Sequence, residues 1–214
     1  MWYVFRLLFI VPVIGIIAVV IYADLYVFFR NRRGKPGVPR ALAEFILIGW
    51  VCMFVYVTQI MSFGGISAGP NFVPFGDFVT AFRYGSNNAH LVWQFLLNII
   101  MMVPLGLLIP IVFPKKMRGF TGVTAVAFCA SLATEVLQIF TGRGSDIDDL
   151  IANTLGGVCG FALWAILYTA ANYALKRPSM RFARQAVIGL IILCLTAAPF
   201  IAVSIADGSS EFGN

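Results

Sequence analysis

Long apolar runs recur along this 214-residue chain and are separated by short polar or basic connections. A helix that crosses a bilayer needs about 20 predominantly apolar residues, and each run reaches about that length. None of the runs shows the alternation of a membrane β-strand, and only a helix satisfies all of its own backbone groups in lipid. The pattern predicts an all-α, polytopic transmembrane helical bundle with about six spans. The predicted spans are 7–29, 41–61, 91–113, 119–140, 150–175 and 185–205.

The connection at 62–90 is longer than the others and has a different composition. Its glycines and prolines predict turns first, and a run rich in phenylalanine and valine follows at 72–82. Such a run is typical of a short interfacial or re-entrant helix at the membrane surface. A loop of this length could cover a functional site or only anchor the chain at the interface, and both alternatives stay open.

The spans divide the chain into three stretches. Residues 1–66 hold two N-terminal spans joined by a basic connection. Residues 67–175 hold the long loop and three spans, and residues 176–214 hold a second basic connection, the last span and a short tail. With 60% hydrophobic and 11% charged residues and a mean hydropathy of +0.91, the chain has no room for a soluble catalytic domain.

The net charge of +6 is concentrated in alternate connections. Twelve of the fifteen Lys and Arg residues lie between spans one and two, three and four, or five and six. An excess of basic residues marks the cytoplasmic side of a membrane protein, so the pattern places both termini outside. The basic residues are therefore explained by membrane topology and not by binding of a nucleic acid. Their position predicts contact with anionic membrane lipids.

Acidic and uncharged polar residues gather on the opposite, predicted outer, side. Span four runs from inside to outside, so Glu135 lies roughly 8 Å from its outer end at about 1.5 Å per residue. An ionisable group inside a span is costly, which makes it a candidate for function. The members of this cluster are Gln94, Asn98, Glu135, Gln138, Arg143, Asp146, Asp149 and Asn153.

The loop before span five also has a structural interpretation. Ser145 or Asp146 can cap the helix, and acidic residues suit its first turn. Capping explains one or two of the three aspartates, but it does not explain Arg143 or Glu135. These two residues therefore remain candidates for function.

Arg143 has two interpretations. It could neutralise a neighbouring carboxylate, or it could hold a phosphate or carboxylate through two parallel hydrogen bonds. In the second case Glu135 or Asp149 is a candidate general base. Oxygen ligands would suit calcium or magnesium, but the spacing matches no known loop for either ion. Neither a metal nor a cofactor is predicted.

Small residues and prolines predict how the spans pack. Gly156 and Gly160 form a Gly-x-x-x-Gly pair early in span five, which allows close approach of another helix. Span four is the predicted neighbour, because a tight turn joins it to span five. Pro104 and Pro110 predict a kink or local unwinding in span three.

The polar residues resemble the VanZ-like family of bacterial membrane proteins. The matching elements in spans three and four are Asn98, Pro104-Leu105-Gly106 and Glu135-x-x-Gln138. The next element reads Gly142-Arg143-x-x-Asp146-Ile147-Asp148-Asp149-x-x-x-Asn153-x-x-Gly156-Gly157-x-x-Gly160. Upstream, Asn71-Phe72-Val73-Pro74-Phe75 resembles the family's Asn-x-x-Pro-Phe element, so the resemblance covers about residues 70–168.

The resemblance implies a protein of the bacterial cytoplasmic membrane, in a family whose name is tied to low-level resistance to the glycopeptide teicoplanin. It implies no particular reaction. Our first hypothesis is a protein that binds a lipid-linked wall precursor, a glycopeptide or another anionic ligand at the outer leaflet. The alternatives are a membrane enzyme that uses a carboxylate base on a lipid-linked substrate, and a lipid or small-molecule transporter. The expected ligand-binding residues are Asn98, Glu135, Gln138, Arg143, Asp146, Asp149 and Asn153.

Overall fold

A computed structural model of the chain describes residues 21–22, 38–60, 71–76, 79–80, 89–113, 117–140, 145–175 and 180–210. The chain divides into two compact units, Met1–Phe63 and Gly64–Asn214. The first unit contains helix α1 (Val38–Val55), which continues into a five-residue π-helical segment, Tyr56–Ile60. The second unit contains α2 (Ala89–Val112), α3 (Phe120–Phe140), α4 (Ile147–Ala174) and α5 (Arg181–Ser210).

The prediction of an all-α membrane bundle is confirmed. Four helical stretches are long and apolar enough to cross a membrane by length and composition, namely Pro39–Thr58, His90–Val112, Phe120–Ile139 and Ile147–Ala174. Within the described ranges the only β-pairing is one isolated bridge. The predicted first span, 7–29, lies outside the described residues except for 21–22. The predicted sixth span falls on α5, which is helical but is not among those four stretches.

In the described part of the first unit, two charged residues of α1 form a local pair. Arg40 Nε donates to Glu44 Oε1 at 2.9 Å, one helical turn away. At the other end of the helix, Thr58 donates its hydroxyl to Phe54 O at 2.8 Å. Such a bond to the carbonyl four residues earlier satisfies a hydroxyl inside an apolar helix.

In the second unit α2 and α4 run parallel to each other, and α3 runs antiparallel to both. Asn98 contacts Asp149 near the starts of α2 and α4, and Gly106 lies against Gly157 further along both helices. Glu135, late in α3, reaches the segment just before α4. The starts of α2 and α4 and the end of α3 therefore meet at one end, which we call the polar end. The opposite end, where α3 and α5 begin, is called the basic end.

Gly156 and Gly160 of α4 lie against α2. A Cβ added at Gly156 would overlap the carbonyl oxygen of Ile99, and one added at Gly160 would overlap that of Val103. The prediction that span four is the neighbour of this pair was therefore wrong. Gly157 does face α3, because consecutive residues of a helix point about 100° apart. The short connection between spans four and five therefore does not determine which helix each glycine contacts.

Both prolines of α2 are accommodated within a continuous helix. The helix runs without interruption from Ala89 to Val112 through Pro104 and Pro110. The predicted local unwinding is therefore not observed. In a membrane bundle, neighbouring helices hold a proline-containing helix in shape, and Gly106 allows α4 to pack directly on this part of α2.

Candidate functional site

Asp146 begins α4 as its N-cap. Its backbone is extended, with φ −125° and ψ 121°, and its side chain accepts the Asp148 N–H at 2.9 Å. Of the two predicted caps, Ser145 and Asp146, the structure selects the second. A carboxylate in this position satisfies an unpaired donor of the first turn and interacts favourably with the helix dipole.

Asn71 ties the long loop to this cap. The two segments form an isolated parallel bridge in which Asn71 N–H donates to Ser145 O at 2.9 Å and Ile147 N–H donates to Asn71 O at 3.1 Å. The Asn71 amide also donates to Asp146 Oδ1 at 3.3 Å. Three hydrogen bonds therefore hold this part of the loop against the start of α4.

Asp148 holds the next part of the same loop. Its carboxylate is buried and accepts the Phe75 N–H. Phe75 has φ 61°, a left-handed conformation that is rare for a bulky residue. Its ring is buried, whereas Phe72 and Val73 point outward with exposed fractions of 69% and 57%. The described part of the loop is a tight turn with an apolar outer face, and its contact with the membrane surface stays a prediction.

Glu135 connects the end of α3 to the same cap. It is 4% exposed, and its Oε2 accepts the Asp146 N–H at 2.8 Å and the Ser145 hydroxyl at 3.1 Å. Gln138 is also buried at this end of α3. Hydrogen bonds to a buried carboxylate are stronger than those between neutral groups. The carboxylate of Glu135 therefore ties the end of α3 to the start of α4.

Asp149 differs from the other carboxylates because side chains of α2 supply its observed donors. Its Oδ1 accepts the Asn98 amide at 2.6 Å and the Gln94 amide at 3.5 Å. Asp149 is partly exposed, and Gln94 is exposed. This carboxylate therefore joins two helices while remaining accessible at the polar end.

Asn153 lies one helical turn deeper in α4. It is 3% exposed, and its Nδ2 donates to the hydroxyl of the fully buried Ser131 on α3 at 3.0 Å. Its Oδ1 is buried and has no hydrogen-bond partner among the described residues. Exchanging the two amide atoms would leave the nitrogen in the same position. One amide atom of Asn153 is thus left for a donor or acceptor from outside the described residues.

The structure brings most of the predicted site together. Arg143 lies outside the described residues. Within the part of the chain that is described, no group of three or more His, Cys, Asp or Glu residues is arranged to hold a metal ion. The predicted residues found at the polar end are Asn98, Glu135, Gln138, Asp146, Asp149 and Asn153.

Asn71, Asp148 and Ser131 contact the polar end but were missing from the predicted site. Asp148 was treated only as part of the helix start, since nothing local reveals its distant partner Phe75. Ser131 gave no signal because a single serine in an apolar helix commonly bonds to its own helix. A search for small polar residues on the α3 face that meets α4 would have found Ser131.

Comparison with known proteins identifies the family to which this chain belongs. A family model described as VanZ/LLP1 matches residues 41–168. The chain belongs to the VanZ-like family. The matched range contains every described residue of the polar end. It also includes α1 from Ala41 onward, which precedes the residues that carry the resemblance in sequence.

A VanZ-like relative matches part of the chain. Protein VanZ of Enterococcus faecium is 39% identical over 70 residues, which are 32% of this chain and 42% of that protein. The match therefore spans less than half the length of the relative. No solved structure matches this VanZ-like chain.

Proposed function

We propose that this VanZ-like membrane protein acts in the bacterial cell envelope, in resistance to the glycopeptide teicoplanin, by binding a lipid-linked wall precursor at its polar end. The headgroup of such a precursor carries phosphate, hydroxyl and amide groups on a long apolar chain. The support comes from the contacts that each polar side chain makes and from the surface beside them.

The observation that carries the proposal is the difference between Asp149 and the other carboxylates. Glu135 and Asp148 accept backbone N–H groups of the segments that they hold. Asp146 caps its own helix. The observed donors of Asp149 are instead two amide side chains, at a position that is partly exposed. Because Asp149 is partly exposed, a ligand can approach it at the polar end.

The amides beside Asp149 suit a hydrogen-bonding headgroup. Each amide has two N–H donors and an acceptor oxygen, and the observed contacts of Asn98 and Gln94 use one donor nitrogen in each. The remaining capacity would serve sugar hydroxyls and peptide amides. A phosphate needs a cation, because the described carboxylates of this end would repel it; Arg143, whose guanidinium can bind phosphate bidentately, is the candidate.

The surface next to these amides favours a ligand with an apolar chain. Trp93 and Leu97 of α2 are exposed, and each precedes one of the two amide residues in the sequence. In a helix that crosses the membrane, such apolar side chains face lipid. A ligand could therefore place its headgroup against Asn98 and Asp149 while its chain lies along the outside of α2.

The alternatives make different predictions at the same site. In the enzyme hypothesis Asp149 or Glu135 removes a proton from a bound lipid-linked substrate. In the transport hypothesis the polar end is one opening of a path across the bundle. Both require that the ligand is changed or moved after binding, which a binding protein does not do.

The test is the affinity of the purified protein in nanodiscs for a fluorescent lipid-linked disaccharide–pentapeptide. We expect Asp149→Asn to weaken binding by about tenfold, since loss of a hydrogen-bonded charge costs on the order of 1.5–3 kcal/mol. The midpoint of thermal unfolding is measured alongside the affinity, because Asp149 also joins α2 and α4. The matched control is Asn172→Ala, which removes a polar side chain that bonds to Tyr168 O far from the polar end of the same helix.

The outcomes separate the hypotheses. Equal affinity of Asp149→Asn and the wild type would contradict the proposal. Binding of teicoplanin but not of the precursor would identify the glycopeptide as the ligand. Release of a chemically altered probe by the wild type alone would identify an enzyme, and movement of the probe across a liposome membrane would identify a transporter.

A further inference from the structure

Three arginines converge at the basic end of the second unit. Arg118 precedes α3, and Arg181 and Arg184 lie in the first turn of α5. The Phe120 N–H donates to Gln185 Oε1 at 3.5 Å, so the starts of α3 and α5 lie side by side. Arg118 lies two residues before Phe120, and both arginines of α5 lie within four residues before Gln185. The guanidinium groups therefore extend from neighbouring helix starts at one end of the bundle.

None of the carboxylates whose side chains are described in this unit lies at the basic end. The described carboxylates, from Glu135 to Asp149, belong to the polar end. The sequence contains no Asp or Glu in residues 107–134 or 150–206. The only ion pair within the described ranges joins Arg40 and Glu44 of the first unit. No described side chain at the basic end therefore supplies an anion that balances Arg118, Arg181 and Arg184.

Of the three arginines, Arg118 is the one with a buried hydrogen-bond donor that no described acceptor satisfies. Its Nε is buried and has no hydrogen-bond acceptor among the described residues. A buried donor without an acceptor costs roughly 1–3 kcal/mol, and more when it belongs to a charged group. A phosphate oxygen at Nε would remove this cost, and a guanidinium can bind two phosphate oxygens at once.

An aromatic cluster forms the wall beside these cations. The Phe182 ring lies 4.8 Å from the Trp164 ring and 5.4 Å from the Tyr168 ring, measured between centroids. The guanidinium carbon of Arg181 lies 5.7 Å from the Phe182 centroid. Tryptophan and tyrosine concentrate where spanning helices meet the headgroup layer. An aromatic cluster beside the arginines is therefore what is expected of side chains at the headgroup layer.

We propose that the basic end binds the phosphodiester of an anionic phospholipid, between Arg118 and the first turn of α5. Arg118 donates to the phosphate oxygens, and Arg181 and Arg184 supply further positive charge. The acyl chains lie against the apolar surface of the bundle, and the aromatic cluster borders the headgroup. This site is separate from the polar end and does not depend on the function proposed for that end.

The test is native mass spectrometry of the full-length protein released from micelles that contain phosphatidylglycerol or phosphatidylcholine in equal amounts. We expect the wild type to retain phosphatidylglycerol preferentially. Arg118→Gln should weaken that retention by about tenfold, and Arg184→Gln by less, because only Arg118 combines charge with a buried donor. The control is Arg40→Gln, which removes an arginine that already has an acidic partner and should retain the lipid.

Each other outcome overturns the proposal. Equal retention of the two lipids, or unchanged retention in both Arg118→Gln and Arg184→Gln, would show that no such site exists. If Arg118→Gln does not fold, Arg118→Lys and Arg184→Gln decide, since lysine keeps the charge but cannot bind bidentately. Inorganic phosphate that displaces the lipid and stabilises the protein equally would assign the site to a free anion instead.

Discussion

Replacing Gly160 by alanine should strongly destabilise the second unit. The added methyl group would overlap the backbone oxygen of Val103, and it would also approach the Leu107 nitrogen at 2.8 Å. Backbone atoms of a packed helix cannot turn aside, so α2 and α4 would have to separate. Overpacking of this kind costs about 1–3 kcal/mol or more. In lipid the loss of packing between α2 and α4 is especially destabilising, because close packing is a main force between helices.

The measurement is the midpoint of thermal unfolding in detergent, with Gly49→Ala as the matched control. Gly49 lies inside α1 and has no heavy atom within 4 Å of an added Cβ. Alanine is favoured over glycine inside a helix by about 1 kcal/mol, so the control should be as stable as the wild type or more so. If Gly160→Ala unfolded at the same temperature as the control, the close contact between α2 and α4 would be wrong.

Replacing Glu135 by alanine should destabilise the protein by about 3 kcal/mol, since hydrogen bonds to a charged group contribute roughly 1.5–3 kcal/mol each. The substitution leaves the Asp146 N–H and the Ser145 hydroxyl without the acceptor that they share. The turn into α4 and the loop bound to its cap should loosen together. Limited proteolysis within the 62–90 loop should therefore accelerate along with the fall in unfolding temperature.

The matched control for Glu135→Ala is Glu44→Ala. Glu44 also pairs with a donor at 2.9 Å, but its side chain and that of Arg40 are partly exposed and one helical turn apart on α1. Such a pair contributes about 0.3–0.5 kcal/mol. If the two substitutions had equal effects on unfolding, the structural role assigned to Glu135 would be refuted.

The sequence was sufficient to predict the bundle and most of the polar end. Apolar runs of spanning length located α1 to α5 to within a few residues, because the bilayer fixes both helix length and composition. The charge pattern and the direction of each span then brought Asn98, Glu135 and Asp149 to one end. The cap was predicted as one of two residues, and Asp146 proved to be the cap.

The contacts between helices could not be predicted in the same way. The pairing of Asp148 with Phe75 joins residues 73 positions apart, and that of Asn153 with Ser131 joins residues 22 apart. Local patterns carry no information on such partners. The neighbour of Gly156 was mispredicted for the same reason: a short connection favours span four, but the direction of each Cα–Cβ vector selects α2.

The described contacts divide the polar end into two parts with different roles. The carboxylates of Glu135, Asp146 and Asp148 hold the loop and the start of α4 through backbone donors. Asp149, with the amides of α2, forms the accessible part. A charged residue can thus belong to the motif of the VanZ-like family for a structural reason, and its presence in the motif does not by itself indicate contact with a ligand.

The most direct test of this division is the teicoplanin concentration that inhibits a susceptible host expressing the protein, measured at equal abundance in the membrane. We expect the wild type and Asn172→Ala to raise that concentration, and Asp149→Asn to leave it at the level of the empty host. Retained protection by Asp149→Asn at equal abundance would contradict the account, because the accessible carboxylate would then have no part in function.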